Sequence, residues 1–523
     1  MTANDVTTTP LPPMGPVGFL RWCWRQLTSM RTALILLFLL ALAAIPGSLL
    51  PQQGNDPIKV REWIDANPQF GPVLQALGFF DVYASPWFAA VYLLLFISLI
   101  GCVIPRAQLH WRAMRSQPPA APRNLDRLPG TETFTVEESA ASLLERAERR
   151  LRDERWRVRV GETDGTPWIA AEKGYLRETG NLVFHLALLG VLVAVAVGGL
   201  FGWKGNVIVK AGDGFSNTVT QYDAWGGGRL MRGDALAPFS FTLDDFQVEF
   251  EREGVQRGAP RFFRADVTYR PAPGAEAEQA VIEVNHPLTV DGAKVFLVGH
   301  GYAPHVVITD RSGNIVFDDS VVFLPQDANF TSTGVVKVPD ADPPLGLRGL
   351  FMPTSQTDAI RGGISVFPAP DNPRLFLSAF TGDLGLDDGT PQNVYRLDTT
   401  RMRQIGLQGL SLGQGWVLPG GAGAVAFTGY DRWASFQIAS DPGKELALVF
   451  AMLAIAGVML SLFIRRRRLW IKVESSPSDS GSTVVQVAGL SKTSSLDDVD
   501  AGAVVDDIAS VSDGLRSTRR DRQ

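Results

Sequence analysis

Residues 182–201 read LVFHLALLGVLVAVAVGGLF, a run whose one ionisable side chain is His185. As a helix it rises about 30 Å, the thickness of a bilayer's hydrocarbon core. Working outward, three more runs meet the same test: 32–50 (TALILLFLLALAAIPGSLL), 87–104 (WFAAVYLLLFISLIGCVI) and 446–464 (LALVFAMLAIAGVMLSLFI). One such run passes for a buried core helix. Four without a single Asp, Glu, Lys or Arg predict a polytopic α-helical membrane protein with four transmembrane helices. The first run follows Arg21, Arg25 and Arg31, a flank that a cleaved signal peptide also has. Its apolar stretch is longer than a signal's and three spans follow, so an anchor is expected. The first 20 residues hold Thr and Pro but no Arg, which argues against an organellar transit peptide.

Positive charge near the span ends sets the orientation. Arg21, Arg25 and Arg31 precede the first span, and Arg106, Arg112 and Arg115 follow the second. Lys173 and Arg177 precede the third, and Arg465, Arg466, Arg467 and Arg468 follow the fourth. With alternating helices all these flanks fall on one side. Both termini are then cytoplasmic, with 1–31, 105–181 and 465–523 inside and the loop 51–86 and segment 202–445 outside. Trp87, Trp203 and Trp470 stand where interfacial aromatics are expected.

Segment 105–181 reads as a small cytoplasmic α/β loop with a Pro-rich lead-in over 117–123. In 138–153, Leu143, Leu144, Ala147 and Leu151 share one helix face, and its charged face reads as solvated. Strands are expected over 156–160 and 167–171, joined by a Gly-Glu-Thr-Asp-Gly turn. Segment 202–445 reads as a large, mainly-β extracytoplasmic domain. Alternating strands recur at 206–210, 239–250, 262–269, 280–284, 294–298, 305–309, 315–324, 374–380 and 433–438, as in a sandwich or open barrel. From about Ser475 to Gln523 the chain is rich in Ser and Asp without an aromatic residue, a composition that predicts a disordered tail.

A net charge of -5 over 523 residues, with no long basic stripe outside the membrane flanks, argues against nucleic-acid binding. The two cysteines, Cys23 and Cys102, sit at the ends of apolar runs. The large insert has none, so it has no disulfide framework and exchanges no thiols. No set of side chains forms an acid/base pair or a nucleophile triad.

His185 lies three or four residues inside the cytoplasmic end of its span, about 5 Å deep. Ionisable groups within bilayers are rare and often functional, and imidazole is a common axial ligand of haem iron. A shallow histidine also bonds headgroups or neighbouring helices, and the residue alone supports either role. A low-spin haem needs a ligand on each face; no other span offers a histidine, so the opposite ligand is most simply another protein's. Gly190, Ala194 and Gly198 make a small-residue stripe suited to close helix packing within this chain or against a partner. Lys173 and Arg177 serve as anchors, with contacts to haem propionates as a secondary role. His110 flanks the membrane beside Trp111. His286, His300 and His305 have spacings that fit no strong metal motif.

Several local patterns, in this order, resemble the ResB family of cytochrome c biogenesis proteins, also called Ccs-one or CcsB. They are LTSMRTA at 27–33, PGSLLPQ at 46–52, YASPWF at 83–88 and AEKGYLRETGNLVFH at 171–185. VNHPL at 284–288, with Gly292, Phe296 and Tyr302, and DPG at 441–443 before the last span complete the set. The resemblance covers roughly 25–473. It implies a System II subunit working with a CcsA (ResC) type membrane protein that carries the WWD segment, which this chain lacks. The pair would move haem b, as transient cargo, across a bacterial inner membrane and join it to apocytochrome c by thioether bonds. It further implies that His185 is an axial ligand of the membrane-embedded haem iron. The chain would be a non-catalytic or co-catalytic subunit of a holocytochrome c synthase complex. The alternative, which the residues leave open, is a membrane-anchored assembly or sensory protein whose β domain binds an envelope partner without haem.

Overall fold

The four apolar runs fold as helices because nothing else satisfies their backbone groups away from water. The computed structural model describes residues 15–53, 57–128, 131–233, 236–358, 362–386, 394–475, 482–491 and 509–516. Its helices are α1 (Pro16–Leu27), α2 (Met30–Leu49), α3 (Pro57–Ala66), α4 (Gly71–Ala76), α5 (Pro86–Arg115), α6 (Ala140–Asp153), α7 (Leu176–Phe201) and α8 (Lys444–Phe463). Among the described residues, α2, α5, α7 and α8 are the helices long and apolar enough to cross a membrane. Ser29 caps α2, accepting from the Thr32 amide, and Ser85 caps α5, accepting from the Phe88 amide. Leu34, Phe38, Leu93, Val195, Leu448 and Met452 stand exposed on their flanks, as lipid-facing residues do. The chain divides into two units, Met1–Ala196 with Gly443–Gln523, and Val197–Pro442.

The second span extends past its expected end at Ile104, through Pro105, to Arg115. A proline removes one helical hydrogen bond. Here the extension is held by His110, whose ring meets Glu178 and Thr179 of α7.

The soluble part of the first unit is a five-stranded antiparallel sheet. Its order is Glu132–Val136, Thr483–Ser491, Arg467–Ser475, Thr166–Lys173, Arg157–Thr163. Asp164 and Gly165, both at positive φ, make the two-residue hairpin turn between the last two, as an Asp-Gly pair favours. Leu143, Ala147 and Leu151 of α6 pack on Ile169, Ile471, Val485 and Val487. The Pro-rich lead-in covers the other face: Trp470 Nε1 donates to the Pro119 carbonyl at 3.2 Å and Lys472 Nζ to that of Arg123 at 2.6 Å.

Two expectations are corrected here. The Ser/Asp-rich tail is not disordered where it is described: Thr483–Ser491 is a strand, and 509–516 is helical with Val511 and Leu515 in the core. Val485 and Val487 alternate inward, which outweighs the polar composition around them; the rest of that tail lies outside the described residues. Trp470 and Trp203 do not present exposed rings, as free interfacial aromatics would. Each lies on a strand and is buried, Trp470 beside Trp168 and Ala170, Trp203 stacked on Trp225 at 5.2 Å.

Among the described residues the strands of the second unit pair antiparallel, in sheets of seven, five and four strands and a two-stranded pair. Its spine is the pairing of Ala293–Thr309 with Ala424–Ser440, each 17 residues long. One end of this pair packs against Ser240–Phe250 and Pro260–Arg270, burying Phe241, Phe246 and Phe436. The other packs against Leu345–Met352 and Arg374–Gly382, burying Tyr302, Phe351, Leu377 and Phe427. The two strands expected at 294–298 and 305–309 are therefore one. Gly299 marks a bulge in it, and Gly301 is the space against which the Trp433 indole lies. Neither glycine is a turn. The Trp433 Nε1–H donates to the Tyr302 and Phe323 carbonyls at 3.1 and 3.2 Å.

His300 stacks on Phe330 at 4.6 Å and also meets Phe246, Phe250 and Phe263. Burial, helped by the Arg432 charge, depresses its pKa to about 4. In the unfolded chain it titrates near about 6.5. Between those values the unfolded state binds more protons. The contribution of His300 to the unit's stability is therefore fully present above about pH 6.5 and is lost, by up to about 3 kcal/mol, as pH drops toward 4. His300→Leu should flatten this acid slope, read as denaturant midpoints at pH 7 and pH 5. Equal slopes in both proteins would remove His300 as its source.

Candidate functional site

The site is built where α7 leaves the small sheet. Gly174 turns the chain at φ 92°, a conformation glycine favours, and any Cβ there would strike the Arg465 carbonyl. The strand entering α7 and the strand leaving α8 pair directly, Leu469 opposite Ala171 and Ile471 opposite Ile169. A buried charge network forms at this junction. The Glu172 carboxylate, 1% exposed, accepts from Arg466 Nη2 at 2.7 Å, Arg468 Nε at 2.8 Å and the Tyr175 hydroxyl. Arg466 Nη1 donates to Glu178 at 2.6 Å, and the other Glu178 oxygen lies 3.3 Å from His110 Nδ1. Burial raises the Glu172 pKa, but Tyr175, Arg468 and Arg466 outweigh it and hold the carboxyl below its usual range. Burial likewise opposes charge on Arg466, and Glu178 and Glu172 outweigh it. The network is therefore ionised and internally neutralised, the condition under which buried charges are tolerated.

A chamber of about 520 Å³ opens beside it, walled by Arg106, His110, Glu172, Glu178, Arg466 and Arg468. Arg106, Asn181 and Leu182 also wall a second cavity of about 390 Å³ between α2, α5 and α7. This groove is apolar. Three helical stripes converge on it: Met30, Ala33, Leu34 and Leu37 from α2; Leu95, Leu99, Cys102, Val103 and Arg106 from α5; His185, Leu188 and Leu192 from α7. The helices are tied by Ser98 Oγ donating to the Leu27 carbonyl at 2.5 Å, Cys102 Sγ to that of Thr28 at 2.9 Å, and the Tyr92 hydroxyl to that of Leu192.

His185 lies in the groove wall. Its Nδ1 is 2.8 Å from the Asn181 carbonyl, one turn earlier. A carbonyl only accepts, so Nδ1 carries a proton, and in the neutral ring it is Nε2 that holds the lone pair. No partner takes that lone pair among the described residues. A histidine fixed at one nitrogen by a carbonyl, with the other free, has the arrangement of a metal-ligating imidazole.

The remaining candidates are elsewhere. Lys173 Nζ lies 5.6 Å from the Trp156 ring, and neither Lys173 nor Arg177 lines the groove or the chamber. Gly190 faces Phe450 of α8, and Ala194 is buried. Gly198 faces Asp441. In the second unit His305 meets Thr428 and Asp318, while His286 bridges to Glu283. Among the described residues no group of three His, Cys, Asp or Glu side chains is placed to hold a metal ion. Sequence reasoning passed over Met30 and Cys102 as groove residues and read Arg106 only as a flanking charge. Their three-and-four-residue spacing from apolar neighbours was a visible signal, but it does not say which stripes face one another.

A model of the ResB-like family matches residues 30–498. The chain is 26% identical over 469 residues to a cytochrome c biogenesis protein CcsB of Synechococcus sp. (strain RCC307), covering 86% of this chain and 89% of that one. It is 26% identical over 489 residues to the CcsB of Synechococcus sp. (strain CC9311), covering 90% and 94%. To the CcsB of Thermosynechococcus vestitus (strain NIES-2133 / IAM M-273 / BP-1) it is 26% identical over 452 residues, covering 85% and 87%.

Proposed function

The chain belongs to the ResB-like family, and from that premise we propose that it serves cytochrome c biogenesis by holding haem in the membrane through His185. The single observation that supports this most is the free Nε2 of His185 on an apolar groove, with Nδ1 held by the Asn181 carbonyl. Haem is the cargo, and this chain offers it one axial ligand. The other comes from a CcsA-type partner that closes the open side of the groove, since a cavity of about 390 Å³ covers only part of such a macrocycle. Thioether formation needs reduced haem, reduced thiols and correct orientation, and orientation is what this chain contributes.

The excess of Lys and Arg on one set of span ends supports a reading with the small sheet and both termini in the cytoplasm of a bacterial cell. The inner membrane then carries the chain, and the β unit lies outside. There the β unit positions apocytochrome c near the partner's haem-presenting face. His185 stands near the cytoplasmic end of α7, where haem made inside the cell first meets the bilayer.

The test is spectroscopic and genetic together. The full chain purified in detergent with a CcsA-type partner should show a Soret band, and a strain lacking the chain should lose its covalent c-type cytochromes. Haem absent with and without the partner, alongside normal cytochromes in the deletion strain, would sink the reading.

A further inference from the structure

We propose that Arg106 binds a haem propionate and so sets which edge of the macrocycle points toward the small sheet. This rests on the haem reading of the His185 groove and deepens it. Arg106 lines both the apolar groove and the polar chamber, so it stands at the boundary between them. The other two arginines of the chamber are committed: Arg466 to Glu172 and Glu178, Arg468 to Glu172. Arg106 has no carboxylate partner among the described residues. Its Nη2 meets Met30 Sδ at 2.5 Å, and a thioether is a weak acceptor that cannot neutralise a guanidinium.

The groove therefore offers apolar walls, an imidazole lone pair, and an unneutralised guanidinium at its polar boundary. An apolar ligand without charge makes no use of the guanidinium, which is exposed at the mouth of the groove. A planar metal-centred macrocycle with carboxylates on one edge answers all three features. Its iron lies against His185, its apolar body against Leu37, Leu99 and Leu188, and a carboxylate against Arg106. The planar fork of arginine suits a carboxylate in a way that an ammonium does not. A lipid phosphate offers the same anionic chemistry to Arg106, and the experiment below separates the two sources.

The full chain in detergent is titrated with iron protoporphyrin IX and, separately, with its dimethyl ester, which keeps the iron and the ring but lacks the carboxylates. The wild type should bind the free acid about tenfold more tightly than the ester, the scale of one charge-assisted pair. Arg106→Gln should bind both like the ester while keeping the wild-type axial spectrum, and Arg106→Lys should recover part of the preference. An Arg106→Gln protein that keeps the wild-type preference overturns the inference. So does a wild type without preference, or a variant that loses only co-purifying anionic lipid. His185→Gly is run in parallel. If its spectrum equals the wild type's, the His185 ligand reading fails whatever the ester ratio shows, so the two failures are told apart.

Discussion

Replacing His185 with glycine is expected to abolish the Soret band of the purified chain with its partner and to lower covalent c-type cytochrome by about tenfold or more, the scale seen when ligation around a metal is disturbed, at normal protein level. A coordinate bond is lost and nothing nearby replaces it. The other soft donors of the groove are Met30 and Cys102. Met30 Sδ is engaged by Arg106, and Cys102 Sγ donates to the Thr28 carbonyl. The smaller side chain opens a hole the size of an imidazole in an apolar wall. Free imidazole at millimolar concentration should then restore both band and maturation. Rescue separates a missing ligand from a damaged helix, because a misfolded α7 has no ring-shaped vacancy to fill. Unchanged cytochrome in the glycine variant would defeat the ligand role. Loss without rescue would point instead to a packing role for the ring, which meets Phe184 edge-on at 5.1 Å.

How much of this was legible beforehand depends on whether the signal was local. The four spans were legible because a run such as 446–464 carries its own answer, about twenty apolar residues bounded by charge. The face of α6 was legible too, since Leu143, Ala147 and Leu151 recur at helical spacing and all three are buried. What was lost was non-local. Nothing in 467–475 says that it pairs with 166–173, nearly 300 residues earlier, and the four arginines at 465–468 read only as a membrane flank. Two of those arginines are instead held by Glu172. Composition misled in the tail, where Val485 and Val487 stand among Ser and Asp yet are buried in the core that α6 covers. Glycine misled in the β unit, where Gly299 and Gly301 resemble a turn but serve a bulge and an indole. His185 was legible as a candidate because a lone imidazole in a span is rare; Arg106 was not, because its meaning comes from sharing two cavities with residues of other helices.

Gly457→Val is expected to be the most damaging single change away from the groove itself. At Gly457 of α8 a Cβ would lie 2.6 Å from the Phe184 nitrogen, 2.7 Å from the Gly180 carbonyl oxygen and 3.0 Å from the Phe184 Cα. The contact is reciprocal: a Cβ on Gly180 would lie 2.7 Å from the Gly457 oxygen. These are backbone atoms, which cannot rotate aside as a side chain can, so α7 and α8 must separate. In lipid no hydrophobic gain holds two helices together, and close approach at small residues is a main source of their attraction. Overpacking of this kind costs roughly 1–3 kcal/mol even where side chains can shift. The displaced segment of α7 is Phe184, next to His185, and beyond the end of α8 stands Arg466 with its partners Glu172 and Glu178. The valine variant should therefore melt several degrees lower in detergent and bind haem poorly. Gly457→Ala should fall between it and wild type, because one methyl meets the same atoms with less bulk. Ala456→Val, on an exposed neighbouring position of the same helix, is the control and should match wild type. If Gly457→Val and Ala456→Val melt alike and bind haem alike, α7 and α8 do not meet at this glycine pair, and the positioning of His185 must come from α2 and α5 instead.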